Sequence, residues 1–113
     1  MTTIYHNPRC RKSREGLQIL ENTVINFKVI KYLEDKLSEE ELTHIISLLD
    51  IKPIELVRKN ESIWKTDFKD KQLSDKQIIK AMIDNPKLIE RPIVVSNNKA
   101  IIGRPPENVK KII

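Results

Sequence analysis

Thr3-Ile4-Tyr5-His6-Asn7-Pro8-Arg9-Cys10-Arg11-Lys12-Ser13-Arg14 is the stretch whose reading decides how the chain begins. Its first four residues are β-prone, and Asn7-Pro8 is a turn signal that ends them. From about residue 11 to 21, Gly16, Leu17 and Leu20 stand in a charged background, which predicts a helix. Asn26-Phe27-Lys28-Val29-Ile30 then gives a second strand. A strand-helix-strand unit of this length makes the two strands parallel, so the chain opens as an α/β sheet.

Working outward, Ser38 with Glu41 forms a capping box, and Leu42, Ile45, Ile46 and Leu49 follow at helical spacing. Pro53 opens a short helix that runs towards Arg58. Ser74 with Gln77 repeats the capping box ahead of Ile78, Ile79, Met82 and Ile83, and Asn85-Pro86 closes that helix. Ile93-Val94-Val95 and Ala100-Ile101-Ile102, joined by Ser96-Asn97-Asn98-Lys99, form an antiparallel hairpin. Pro105-Pro106-Glu107 opens a last helix with Val109, Ile112 and Ile113 on its apolar side. The simplest packing for these stripes is a mixed four-stranded sheet with helices on both faces.

At 113 residues one core is enough and two would each be small, so a single domain is expected over residues 1–113, with a helical insert over about 38–85. The net charge of +5 is spread among acids along the whole chain, which reads as a solvated surface. Tyr5, Phe27, Tyr32, Trp64 and Phe68 are scattered and offer no stacking platform, so nucleic acid is not an expected partner. No basic start precedes an apolar run and no apolar stretch is long enough to span a bilayer, so a cytoplasmic protein without membrane contact is expected. One cysteine and two distant histidines give no metal-ligand spacing and no internal disulfide.

The informative exception is local. Arg9, Arg11, Lys12 and Arg14 surround the only thiol, Cys10, where a strand has just ended and a helix begins. Unpaired backbone N–H groups and the positive end of the helix dipole are expected there. Lone cysteines are most often inert packing groups. Four cations argue against that, because burying them with a core cysteine carries a severe desolvation cost. Helix N-termini and cationic neighbours lower thiol pKa values, so a thiolate is the expected reactive form. Arg58 at the end of a short helix, Arg91 before Pro92 and Arg104 after the last strand also stand out. Arginine presents a planar fork of donors suited to a tetrahedral oxyanion, although spacing alone does not bring these three together.

The segment His6 to Arg14 resembles the active-site segment of the glutathione- and glutaredoxin-dependent arsenate reductases. Tyr32-Leu33-Glu34, Leu56-Val57-Arg58-Lys59-Asn60, Leu88 to Val95 and Gly103-Arg104-Pro105 resemble further segments of that family in the same order. The resemblance implies a thioredoxin-like fold with an inserted helical subdomain. It implies Cys10 as nucleophile, Arg58, Arg91 and Arg104 as a triad on the arsenate oxygens, and His6 as an electrostatic aid to the thiolate. Asn7, Arg11, Ser13, Arg14 and Pro92 join as expected substrate-binding residues, with Pro92 as the cis proline of the fold. No bound cofactor is expected; glutathione is a co-substrate, glutaredoxin a partner, and the protein a monomer. Two departures stand beside the likeness: Arg11-Lys12 replaces the small polar residues of many members, and the chain ends at Ile113. An Spx-like regulator that binds RNA polymerase needs a Cys-x-x-Cys switch, and residue 13 is serine. A glutathione-linked thiol reductase of the same fold with another substrate is the remaining alternative.

Overall fold

A computed structural model describes residues 1–23 and 26–113. The chain divides into two compact units, one made of Met1–Asp35 with Arg91–Ile113 and the other of Lys36–Glu90. Among the described residues no helix is long and apolar enough to cross a membrane.

The first unit carries the sheet. Strands β1 (Thr2–Tyr5), β2 (Phe27–Ile30), β3 (Ile93–Ser96) and β4 (Lys99–Ile102) lie in the order β2-β1-β3-β4. β1 runs parallel to β2 and antiparallel to β3, and β3 runs antiparallel to β4. The mixed four-stranded sheet read from the sequence is therefore present, with the predicted parallel pair and hairpin. The hairpin turns at Asn97 and Asn98, whose φ angles of 53° and 60° are left-handed values that asparagine tolerates. At the far end of β1, the buried Thr2 hydroxyl meets the Ser96 hydroxyl at 2.8 Å, so neither is left unsatisfied.

Helix α1 (Arg11–Thr23) and a 3-10 helix (Pro106–Lys111) pack against each other and share one core with the sheet. Ile4, Leu20, Val94 and Val109 are fully buried there, with Leu17, Phe27, Ile101 and Ile112 packed around them. Each such side chain stabilises the fold by about 1.5–3 kcal/mol relative to exposure. Instead of lying on two faces, both helices of this unit join this single core. The last helix is 3-10 rather than α. Asn108 N donates to Pro105 O and Ile112 N to Val109 O, the i to i−3 pattern. Pro105 and Pro106 have no N–H, and a run of six residues favours the pattern that closes earliest.

The second unit is helical. It holds α2 (Glu39–Leu49), a 3-10 turn (Pro53–Leu56), α3 (Ser62–Asp67), α4 (Asp75–Asp84) and a second 3-10 turn (Pro86–Leu88). Both predicted capping boxes form: Ser38 Oγ accepts from Glu41 N, and Ser74 Oγ from Gln77 N. α4 packs against α2 and both 3-10 turns, burying Leu42, Leu56, Ile78, Met82 and Leu88. α3 is an element that sequence periodicity does not mark; Trp64 on it stacks on Phe68 with ring centroids 5.6 Å apart.

Candidate active site

Strand register decides which loops meet. Tyr5 at the end of β1 pairs with Ile93 at the start of β3, which pairs with Ile102 at the end of β4. The loop that carries Cys10, the Arg91-Pro92 dipeptide and Arg104 therefore leave the sheet from the same end. A second contact ties them together. A Cβ on Gly16 of α1 would stand 2.9 Å from Pro92 Cγ, and one on Gly103 would stand 2.9 Å from the same atom. The helix that begins after Cys10 and the segment just before Arg104 thus close on one buried proline ring, with nothing larger than glycine fitting at either position. The Arg91–Pro92 bond is cis, as the resemblance implied, and so is Arg104–Pro105. Pro92 O also accepts from Gly103 N at 2.8 Å.

Cys10 occupies the N-cap position of α1, with its carbonyl accepting from Arg14 N at 3.0 Å and its own N–H donating to Asn7 O at 3.0 Å. The residue is buried, at 7% exposure, although it is not part of the sheet unit's apolar cluster. Arg9, Arg11, Lys12 and Arg14 are all exposed, so burial of the cysteine does not carry the cations with it, contrary to the expectation from sequence. The first turn of α1 contains no acidic residue and three cations, Arg11, Lys12 and Arg14. Cations at a helix N-terminus oppose the macrodipole, so this arrangement is locally unfavourable and suits a site that attracts anions.

The neighbouring side chains divide by role. Ser13 is fully buried; its Oγ lies 2.7 Å from His6 Nδ1 and accepts from Asn7 N at 2.9 Å. Asn7 Oδ1 accepts from Arg9 N at 3.0 Å, an Asx turn that shapes the loop. Arg14 Nη1 donates to Pro8 O at 2.9 Å. Arg11 Nε bonds Glu15 Oε1 at 3.1 Å with its side chain 84% exposed, a pair worth little. His6, at 4% exposure, has its pKa lowered, first by burial and then by the charges of Lys31 and Arg14, with Glu21 opposing. Burial and the neighbouring cations thus disfavour the charged imidazole in this setting.

Among the arginines, Arg91 has its Nε and Nη1 buried, whereas Arg104 is exposed. Arg58 belongs to the helical unit. There Val57 and Ile89 form a β-bridge, Arg58 N donates to Leu88 O at 2.7 Å and Glu90 N to Leu56 O at 2.9 Å. This pairing sets Arg58 Nε 3.8 Å from Glu90 Oε1, while Nη1 meets Glu61 Oε2 at 3.0 Å. Sequence reading misses Gly16 and Gly103, which pack on Pro92 in the sheet unit, and Glu61 and Glu90, which hold Arg58 in the helical unit. Glu61 stands at i+3 from Arg58, and the chain has only two glycines, so signals for three of the four were in the sequence.

Known proteins resemble the chain along nearly its whole length. The family model described as the ArsC family matches residues 5–112. An uncharacterized protein, YfgD, from Escherichia coli strain K12 is 46% identical over 112 residues, covering 97% of this chain and 94% of that protein. An arsenate reductase from Haemophilus influenzae is 41% identical over 112 residues, with 97% of each chain covered. The solved structure of an arsenate reductase from Vibrio cholerae superposes with a TM-score of 0.93 at 48% identity, covering 99% of this chain and 97% of that one. A thioredoxin-like α/β fold, a cysteine loop and two arginines leaving one end of its sheet, and a match along nearly the whole length lead to one assignment: the chain belongs to the ArsC family.

Proposed function

We propose that this protein reduces arsenate to arsenite through a Cys10 thiolate–arsenate intermediate, with glutathione and glutaredoxin as external reductants. The observation that supports the reading best is the departure of the Cys10 loop, Arg91 and Arg104 from one end of the sheet. The arsenate reductase names of its relatives support the substrate.

In the proposed reaction the Cys10 sulfur attacks arsenic, a sulfur–arsenic bond forms, and one arsenic–oxygen bond breaks with its oxygen leaving as water after protonation. Arg91 and Arg104 hold the remaining oxygens through charged hydrogen bonds that strengthen as negative charge concentrates on them. Arg58 is the third arginine of the proposal and is assessed by its own variant. A thiol of glutathione then supplies the second sulfur. Pentavalent arsenic takes up two electrons and becomes trivalent, while two thiol sulfurs are oxidised to one disulfide, which glutaredoxin and further glutathione return to thiols. A chain with one cysteine has no internal thiol for that second role, which is why the reductant is external. The cytosol, as a monomer, is the proposed setting, because thiols are kept reduced there.

The test is arsenate-dependent NADPH oxidation in a coupled glutathione and glutaredoxin system. The wild type turns over and Cys10→Ser falls to the background rate. A Cys10→Ser protein that still reduces arsenate removes the mechanism. A wild type inactive on arsenate yet active on other glutathione-linked substrates leaves a thiol reductase of another specificity.

A further inference from the structure

We propose that Ser13 and Asn7 are positioning residues for the Cys10 sulfur rather than contacts to the oxyanion, with the Ser13 hydroxyl donating to His6 Nδ1 and accepting from the Asn7 N–H. The kinetic part of this assignment rests on the proposed arsenate reduction; the geometric part does not.

Ser13 is fully buried, so its hydroxyl is shielded from an anion arriving from solvent. Its oxygen has two partners, His6 Nδ1 at 2.7 Å and Asn7 N at 2.9 Å. A backbone N–H can only donate, so the oxygen accepts there, which leaves its single proton available for Nδ1. The reverse choice, with Nδ1 protonated, would leave a buried hydroxyl proton unused, which carries a desolvation penalty. His6 is thereby fixed as the neutral tautomer with its proton on Nε2. A neutral ring agrees with its surroundings: burial, then Lys31 and Arg14, disfavour a second proton and outweigh Glu21 and a hydrogen bond with the Ser13 backbone, which favour it.

From Ser13 the bonds run to the nucleophile. Asn7 is held through its N–H; its carbonyl accepts from Cys10 N at 3.0 Å and its side-chain Oδ1 from Arg9 N at 3.0 Å. Cys10 O is held in turn by Arg14 N at 3.0 Å. The main chain of the cysteine is therefore pinned on both sides by a network that starts from a side chain one helical turn further on. A network of this kind sets where the sulfur stands when it attacks, and misplacement of a reacting atom by about 1 Å costs on the order of 100-fold in rate.

The experiment uses the full chain as wild type, Ser13→Ala, Ser13→Thr and Asn7→Ala. In the coupled assay Ser13→Ala lowers kcat by about 10- to 100-fold and changes KM for arsenate by less than about 2-fold. Asn7→Ala shows the same split with a smaller loss, because its backbone bonds remain. Ser13→Thr keeps the hydroxyl and recovers part of kcat. Long-range proton–nitrogen NMR of the His6 ring finds the proton on Nε2 in the wild type and a mixture of tautomers in Ser13→Ala, a change that loss of packing alone does not produce. A KM raised about 10-fold at unchanged kcat would make these residues anion ligands and overturn the assignment. A wild-type ring protonated at Nδ1 would overturn it as well, even if Ser13→Ala fails to fold. If the wild type proves inactive on arsenate, the arsenate reading fails by itself. The ring spectra and the rate of Cys10 alkylation by iodoacetamide, slowed or speeded in Ser13→Ala, then still judge the positioning role; an unchanged alkylation rate rejects it.

Discussion

Two of the candidate segments, one in each unit, are organised by opposite means. The loop from His6 to Arg14 is held mainly by neutral or backbone hydrogen bonds centred on Ser13 and Asn7, while its exposed cations turn to Glu15, for Arg11, and back to Pro8 O, for Arg14. Arg58, in the helical unit, is held by two carboxylates, Glu61 and Glu90. The difference teaches where charge is left over. Around Cys10 only the exposed Arg11–Glu15 pair offsets a cation, whereas Arg58 is well oriented but partly neutralised by two carboxylates before any ligand arrives.

The arginines differ in burial as well: two guanidinium nitrogens of Arg91 are fully buried. Arg91→Ala is expected to lower kcat/KM for arsenate by about 10- to 100-fold, the loss of one charged hydrogen-bonding partner. Arg58→Ala should lower it less, because Glu61 and Glu90 already match its charge. Steady-state kinetics on both variants checks this, and an Arg58→Ala loss exceeding that of Arg91→Ala would break the comparison. Next in size is Gly16→Ala, which drives a methyl group into the rigid Pro92 ring. Overpacking of this kind destabilises by about 1–3 kcal/mol, to be read from denaturant unfolding. On the ion-paired side, Glu61→Gln should cost under about 1 kcal/mol in the same measurement, since exposed or half-buried pairs contribute little.

The smallest effect concerns pH. His6 has its folded pKa below 6.5, so between the folded value and 6.5 the unfolded chain binds more protons than the native one. Stability from this residue is complete above pH 6.5 and is lost as the pH falls through that window. His6→Asn, which keeps an acceptor near Ser13 but does not titrate, should flatten the decline in stability over that range. Equal slopes for the two proteins would show that the imidazole is not shielded as described.

Much of this was legible in the chain because it depends on local chemistry. Ser38 with Glu41 and Ser74 with Gln77 mark helix starts within four residues, and Asn97-Asn98 marks a hairpin turn that needs left-handed backbone. Cys10 at a strand-to-helix junction among cations is equally local. What could not be read depends on pairs set by the fold. Glu90 reaches Arg58 only because Val57 and Ile89 form a bridge. Gly16 and Gly103 matter because both meet Pro92, a contact across α1, β3 and β4. Arg11, Ser13 and Arg14 carry the residue types of an anion site, yet their partners are Glu15, His6 with Asn7, and Pro8. α3 escaped notice because Glu61 provides no side-chain cap and two adjacent apolar residues, Ile63 and Trp64, set no period.

The claim that Cys10 is the atom that bonds arsenic can be tested without any coupled enzyme. Arsenic X-ray absorption on the protein mixed with arsenate, with no other thiol present, should show an arsenic–sulfur shell in the wild type and only arsenic–oxygen shells in Cys10→Ser. Identical oxygen-only spectra from the two proteins, with arsenate consumed once glutathione and glutaredoxin are added to either, would contradict the account.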